Sequence, residues 1–312
     1  MARPGDVARA VELPGPWEHR YVAANGARFH VAEATGSPAD APTVLLLHGF
    51  PAFWWSWRHQ LPELARAGYR ALAMDLRGYG GSDKTRDGYD PVTLARDVVG
   101  VVKALGERQA VVVGSGWGGY VAWTAAVLHP REVAALGAVS APHPATMLDL
   151  ATRAHHVEAL RHVLAMQVPW FPERRLADPA SGFVRDHLRA WAAAGSGFPD
   201  EEAVSTYQEA ISLWPASHCA LEYHRWMVRS RIRSDGRAYS RAMAAPVAQP
   251  VLAVLGGEDP ALPADSLDRT RRRVTGPLEE HVLPGVGHFC QEEAPDRFTA
   301  VLLGWLAGLP LR

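Results

Sequence analysis

His288, in GVGHF (285–289), and Asp259, in GGEDPALP (256–263), are the residues whose types and placement best suit proton transfer. An imidazole can accept and return a proton near neutral pH. A carboxylate hydrogen-bonded to it fixes the tautomer and supports the imidazolium that forms. Each of the two follows a run that reads as a strand: 250–255 before Asp259, and 277–283 before His288. Other polar or turn residues sit the same way. His48 follows 43–47, Asp75 follows 69–74, and the glycine-dense turn Gly114–Gly119 follows 109–113. In open α/β sheets, ligands bind at the carboxyl ends of the strands. The pattern therefore predicts one pocket, with His288 and Asp259 paired inside it.

The elements that must position these residues are legible from periodicity. HRYVAANGARFHVAEA (19–34) is two alternating runs about Asn25-Gly26, a hairpin signal. Thr43–Leu47 is an unbroken apolar run, as expected of a strand buried on both faces. Further strands are predicted at 69–74, 109–113, 132–140, 250–255 and 277–283. Helices are predicted at 93–105, with a stop at Gly106, from the glycine turn to about 128, and at 293–307. Strand, loop and helix in repeated order signify a mostly parallel sheet flanked by helices. Between 144 and 245 the rhythm breaks into helical, aromatic-rich sequence. The expected organisation is a core in two parts, 1–143 and 246–312, with an inserted helical cap at 144–245.

Composition narrows the function. Thirty-two basic residues against 33 acidic ones give a net charge of −1. That balance argues against a nucleic-acid or anionic-membrane surface. Two cysteines, Cys219 and Cys290, cannot build a disulfide framework in 312 residues, which fits a cytoplasmic protein. The N-terminus carries no signal-peptide pattern, and no apolar run is long enough to span a membrane. No metal site or cofactor is expected. His155-His156 is an adjacent pair whose side chains diverge on a helix, and the glycine turn lacks the dinucleotide and Walker A fingerprints. The expected partner is an apolar small molecule. A homodimer is left open. The 11 tryptophans suggest a large aromatic surface. Trp170, Trp191, Trp214 and Trp226 fit an apolar, aromatic or polycyclic ligand, and Trp54 is among the residues placed at the pocket.

The chain resembles the α/β-hydrolase fold, and within it the epoxide hydrolase-like branch, to which the haloalkane dehalogenases are related. HGFPAFWWSWRHQ (48–60), DLRGYGGSDK (75–84), VGSGWGGYVAW (113–123), APHP (141–144), LGGEDPALP (255–263) and GVGHFCQEEAP (285–295) carry the resemblance, in the family's order. The nucleophile elbow is Gly, any residue, nucleophile, any residue, Gly. Here it reads Gly114-Ser115-Gly116-Trp117-Gly118, so the nucleophile position is Gly116. The resemblance implies an aspartate there that forms an alkyl-enzyme ester, and Gly116 cannot do so. It also implies an oxyanion site from the backbone N–H groups of Phe50 and Trp117. The two lid tyrosines that hydrogen-bond an epoxide oxygen are matched by His162 and His224, with Tyr223 one register away.

Three readings follow. The first is a cofactor-independent enzyme in which His288 and Asp259 act without a covalent intermediate. Water-activated hydrolysis or intramolecular ring opening or cyclisation would result, with His162 or His224 supplying the acid. The second is a noncatalytic small-molecule binding protein derived from a hydrolase. The third is a conventional covalent hydrolase with a displaced nucleophile such as Ser115.

Overall fold

The computed structural model describes residues 4–38, 40–146, 157–262 and 266–311. Eight strands form one sheet in the order β1-β2-β4-β3-β5-β6-β7-β8. They are β1 (Trp17–Ala24), β2 (Ala27–Ala34), β3 (Thr43–Leu47), β4 (Arg70–Met74), β5 (Ala110–Ser115), β6 (Val133–Val139), β7 (Val251–Gly256) and β8 (Leu278–Leu283). The β1–β2 and β2–β4 pairs are antiparallel and the remaining pairs are parallel. The β1–β2 hairpin turns at Asn25 and Gly26, both at positive φ, as a two-residue hairpin turn requires. β3 and β5 are buried along their whole length, because helices cover both faces of the sheet.

Three long helices stand on the core side, of which the one leaving the glycine turn reaches the site. Helix α3 (Pro91–Ala104) starts where the Asp90 side chain accepts a hydrogen bond from the Thr93 N–H, with proline at its first position. Helix α4 (Trp117–Leu128) leaves the glycine turn directly, and α13 (Pro295–Ala307) closes the chain. Short helices absent from the periodicity reading, α1 (Pro4–Val11), α2 (Gln60–Arg66), α11 (Ser266–Arg271) and α12 (Cys290–Glu293), complete the core. Each has at most eight residues, too few turns to display a repeat.

Between β6 and β7 the described chain is helical and forms a cap. Its helices are α5 (Val157–Ala165), α6 (Phe171–Ala177), α7 (Phe183–Trp191), α8 (Glu201–Ser212), α9 (Ala216–Arg229) and α10 (Ser234–Ala242). A buried polar cluster ties cap to core. Glu292 of α12 accepts from the Tyr207 hydroxyl of α8 and pairs with Arg58 at 2.7 Å. Arg58 also lies 3.7 Å over the Trp55 ring. The adjacent pair His155-His156 lies outside the described residues.

Candidate active site

The elbow is the sharpest local feature. β5 ends at Ser115, Gly116 takes φ 52° and ψ −116°, and α4 begins at Trp117. The turn is tight because backbone crowds it. A Cβ at Gly114 would lie 2.2 Å from the Gly118 backbone, and one at Gly118 would lie 2.2 Å from the Leu47 carbonyl oxygen. Gly116 differs. Its nearest neighbours to an added Cβ are His288 Nε2 at 3.3 Å and Gly49 Cα at 3.7 Å. Position 116 thus stands directly against the imidazole, and a side chain there would need the ring to give by a few tenths of an ångström. Positive φ favours glycine there, and the only tight contact is with the tip of a side chain rather than with backbone.

His288 and Asp259 are brought together as the sequence predicts. His288 Nδ1 lies 2.8 Å from Asp259 Oδ2. The carboxylate side chain is fully buried and the imidazole nearly so. A carboxylate only accepts, so Nδ1 carries the proton and Nε2 presents its lone pair toward Gly116. The loop bearing His288 is held by Glu293, which accepts from the backbone N–H groups of Gly287, Phe289 and Ala193 at 2.8–2.9 Å. The His288 N–H donates to the Trp191 carbonyl at 2.8 Å. Glu293 therefore clamps the histidine loop to the end of α7 in the cap.

The two oxyanion candidates border the same space. Phe50 and Trp117 both line the cavity that contains Gly116 and His288. The Trp117 N–H stands in the first turn of α4, where a helix supplies no internal acceptor and its dipole favours negative charge. His48 stays out of the cavity. It is fully buried, its Nδ1 donating to the Gly49 carbonyl at 2.9 Å and its Nε2 accepting from the Leu76 N–H at 3.0 Å. It ties the Phe50 loop to the segment after β4. Asp75, beside it, accepts from His30, the Trp54 N–H and the Gly81 N–H, each at 2.8 Å. Burial acts to raise the Asp75 carboxyl. The charge and hydrogen bond of His30, with help from His48 and the Trp54 N–H, outweigh it and hold the group below its ordinary value.

The cavity measures about 110 Å³ and its wall is mostly apolar. Core and cap both contribute: Phe50, Gly116, Trp117, Tyr120, Ser140 and His288 from one side, and His162, His187, Trp191, His224 and Met227 from the other. Three cap imidazoles pack around Phe50, with ring centroids 5.8, 5.1 and 5.0 Å away for His162, His187 and His224. His162 and His187 stack at 4.8 Å.

Several expectations need correction. Trp54 does not line the cavity: it is fully buried in the core, and its indole N–H donates to the Val11 carbonyl at 2.8 Å. Trp55 and Trp57 are buried outside it as well. In the cap, Trp191 lines the cavity while Trp170 and Trp214 are 78% and 62% exposed. Tyr223 is also outside; its hydroxyl donates to the Arg77 carbonyl at 2.7 Å beneath the cap. Ser115 is buried at the end of β5 and is not part of the cavity wall.

His162 and His224 reach the cavity but cannot serve as acids through a standing charge. Burial, with the neighbouring His288, pushes His162 down to about 4. Burial, with His162 nearby, drives His224 well below its ordinary value. Both are neutral at pH 7. Sequence reasoning missed His187, Ser140, Tyr120, Met227 and Glu293. The helical spacing of His187 and Trp191 (i, i+4) shows that they share a face, but not what that face meets. Ser140 bears φ 48°, unusual for a non-glycine residue, and no sequence pattern announces it.

Known proteins resolve the kinship. The sequence pattern of the α/β hydrolase fold matches residues 42–295. Epoxide hydrolase A of Mycobacterium tuberculosis is 36% identical over 321 aligned residues, covering 94% of this chain and 98% of that protein. This chain belongs to the α/β-hydrolase family, in its epoxide hydrolase-like branch. Epoxide hydrolase 3 of Xenopus tropicalis is 31% identical, covering 93% of this chain and 78% of its own. Among solved structures, epoxide hydrolase A from Mycobacterium thermoresistibile superposes with a TM-score of 0.81 at 28% identity. It covers 95% of this chain and all of that one. An epoxide hydrolase from an endophytic Streptomyces gives 0.82 at 30% identity, covering 95% and 97%. Family membership accounts for the sheet order and the cap. Among the described residues, no group of three or more His, Cys, Asp or Glu is arranged to hold a metal ion. No described helix is long and apolar enough to cross a membrane.

Proposed function

We propose that this protein is an epoxide hydrolase-like enzyme working without a covalent intermediate, with His288 and Asp259 as its acid/base pair. The observation that carries the reading is the approach of His288 Nε2 to a position, Gly116, that has no side chain. Nε2 holds a lone pair because Nδ1 is committed to Asp259. A water, or a hydroxyl of the substrate, seated beside Gly116 would give its proton to Nε2. Its oxygen would then attack the electrophilic carbon of a strained ring, or of an ester or lactone. At an epoxide carbon the ring C–O bond breaks as the new carbon–oxygen bond forms. At an ester or lactone carbonyl the attack first moves the C=O pair onto oxygen. The bond to the leaving oxygen then breaks when that tetrahedral intermediate collapses and the leaving oxygen takes the proton back from His288. Negative charge on an oxygen would be met by the N–H groups of Trp117 and Phe50. Asp259 would support the imidazolium until His288 returns its proton.

The cavity also restricts the substrate. An apolar cavity of roughly 150 Å³ takes benzene. At about 110 Å³, this one favours a compact, mostly apolar molecule over a polycyclic one. General acid–base transfer contributes on the order of 10²–10⁴-fold, which suits a strained or activated substrate.

Turnover of a small epoxide or lactone tests the reading. His288→Ala is expected to abolish it, and Ser115→Ala to leave it nearly unchanged. Survival of turnover without His288 would sink the proposal. A rapidly quenched wild-type sample should carry no covalent adduct by intact mass spectrometry. In Gly116→Asp an alkyl-enzyme adduct is expected, because the new carboxylate would stand beside His288. If wild type binds such ligands tightly and forms no product on long incubation, the binding-protein reading replaces this one.

A further inference from the structure

We infer that His187, rather than His224, is the cap's hydrogen-bonding group for a ligand oxygen, so that the cavity selects compact molecules carrying one neutral oxygen acceptor. The inference rests on the reading above only in taking the Gly116 cavity as the ligand site.

His224 occupies the position that the resemblance matches to a lid donor, yet its ring is already committed. Its Nε2 lies 3.1 Å from Trp117 Nε1, and an indole nitrogen only donates. Nε2 is therefore the acceptor and carries no proton. The ring N–H that remains, on Nδ1, is directed at the Ala220 carbonyl of its own helix at 3.3 Å. In its neutral form His224 has no donor left for a ligand.

His187 is placed differently. It projects from the middle of α7 into the same cavity, with only 7% of its surface exposed. Its ring stacks on His162 at 4.8 Å, meets Phe50 edge-on at 5.1 Å and lies 4.9 Å from Trp191. Among the described residues, no hydrogen bond engages either of its ring nitrogens. Buried polar groups are nearly always hydrogen-bonded, and one left without a protein partner at a cavity wall calls for another. A neutral imidazole carries one N–H donor. Burial, reinforced by His162 and His288, keeps His187 neutral well below pH 6.5. Among the described residues, no arginine or lysine lines the cavity, so none of them supplies a fixed positive charge that would compensate an anion there. A ketone, ether or epoxide oxygen matches that environment; a carboxylate does not.

The experiment compares two ligands of nearly equal shape, cyclopentanone and methylenecyclopentane, which differ by exchange of the acceptor oxygen for CH₂. Affinities are measured at pH 7.5 by ligand-observed NMR. Wild type is expected to favour the ketone about tenfold, the usual scale for losing one buried hydrogen bond. His187→Phe keeps an aromatic ring for the Phe50, His162 and Trp191 contacts and should bring the ratio close to one. His224→Phe should keep it. His288→Ala should also keep the ratio while losing turnover, which separates failure of this inference from failure of the proposed chemistry. A ratio near one in wild type, a ratio preserved in His187→Phe, or one lost only in His224→Phe would each overturn the assignment. So would tighter binding of cyclopentanecarboxylate than of the ketone. If His187→Phe does not fold, the ring ¹⁵N shifts of His187 in the wild-type protein decide the matter. They should move on adding ketone and stay still on adding the hydrocarbon; any other pattern overturns the inference.

Discussion

At the scale of single residues, the glycines of the β5–α4 turn separate into two kinds. Gly114 and Gly118 are held against backbone at 2.2 Å, where no side chain can enter without moving β3 or α4. Gly116 is held mainly by its backbone angles, and an added Cβ would press on the His288 ring at 3.3 Å rather than on backbone. Gly118→Ala is therefore expected to cost more than ~3 kcal/mol, a severe steric case. Gly116→Ala should cost about 1–2 kcal/mol, the scale of a residue forced into a sparsely populated backbone region. Urea unfolding measures both; equal costs would show that position 116 is as crowded as its neighbours. The Gly116→Ala methyl would also occupy the space beside His288 Nε2. Turnover should then fall by about 10²-fold or more, as expected on losing acid–base help, while the fold is kept.

At the scale of elements, the site depends on a loop held from two sides. Glu293 gathers three backbone N–H groups, two flanking His288 and one just past α7. Carboxylate acceptors of this kind are stronger than neutral ones. Glu293→Gln keeps one acceptor oxygen but loses the charge and a lone-pair site. It is expected to destabilise the protein by about 1–3 kcal/mol. Turnover should drop more than ligand affinity does, because the ring would lose its aim while the cavity wall stays. A pure affinity loss with full turnover would remove Glu293 from the positioning of His288. The same elements show how far periodicity reaches. The long apolar runs of β3, β5 and β7 and the helices α3, α4 and α13 announce themselves, since burial on a fixed period writes itself into the sequence. The short α2, α11 and α12 span too few turns to do so. The cap helices were legible as a helical stretch, but not as the particular faces that meet the cavity.

At the scale of the whole molecule, the buried histidines couple stability to acid. His143 is pushed down to about 3 by burial, and His162 to about 4; burial likewise lowers His48, His187 and His224. Each keeps an ordinary value near 6.5 once unfolded. Between pH 6.5 and the lowered folded value, the unfolded chain binds more protons than the native one. Stability is then fully present above about pH 6.5 and declines as the pH falls toward 4. Each such histidine contributes a slope of about 1.4 kcal/mol per pH unit inside its window. Thermal unfolding from pH 8 to 4.5 should show a plateau followed by a steep decline. His162→Phe should flatten that decline by about one proton's worth. An unchanged slope would mean that His162 is protonated in the folded cap.

The sequence by itself determined the fold class, the pairing of His288 with Asp259 and the glycine at the centre of the β5–α4 turn. These follow from local order: strand ends, turn glycines and motif spacing place residues on one edge of a sheet. Tertiary structure decided which aromatic and histidine side chains meet there. Trp54 and Tyr223 share segments with the site, yet turn into the core and bond to Val11 and Arg77. His187 and Trp191 come from a helix with no motif and form part of the wall. The direction of a side chain and the charge it holds depend on what packs against it from distant parts of the chain. Hence the sequence read the cap histidines as proton donors, and burial in an apolar cavity left His162, His187 and His224 neutral.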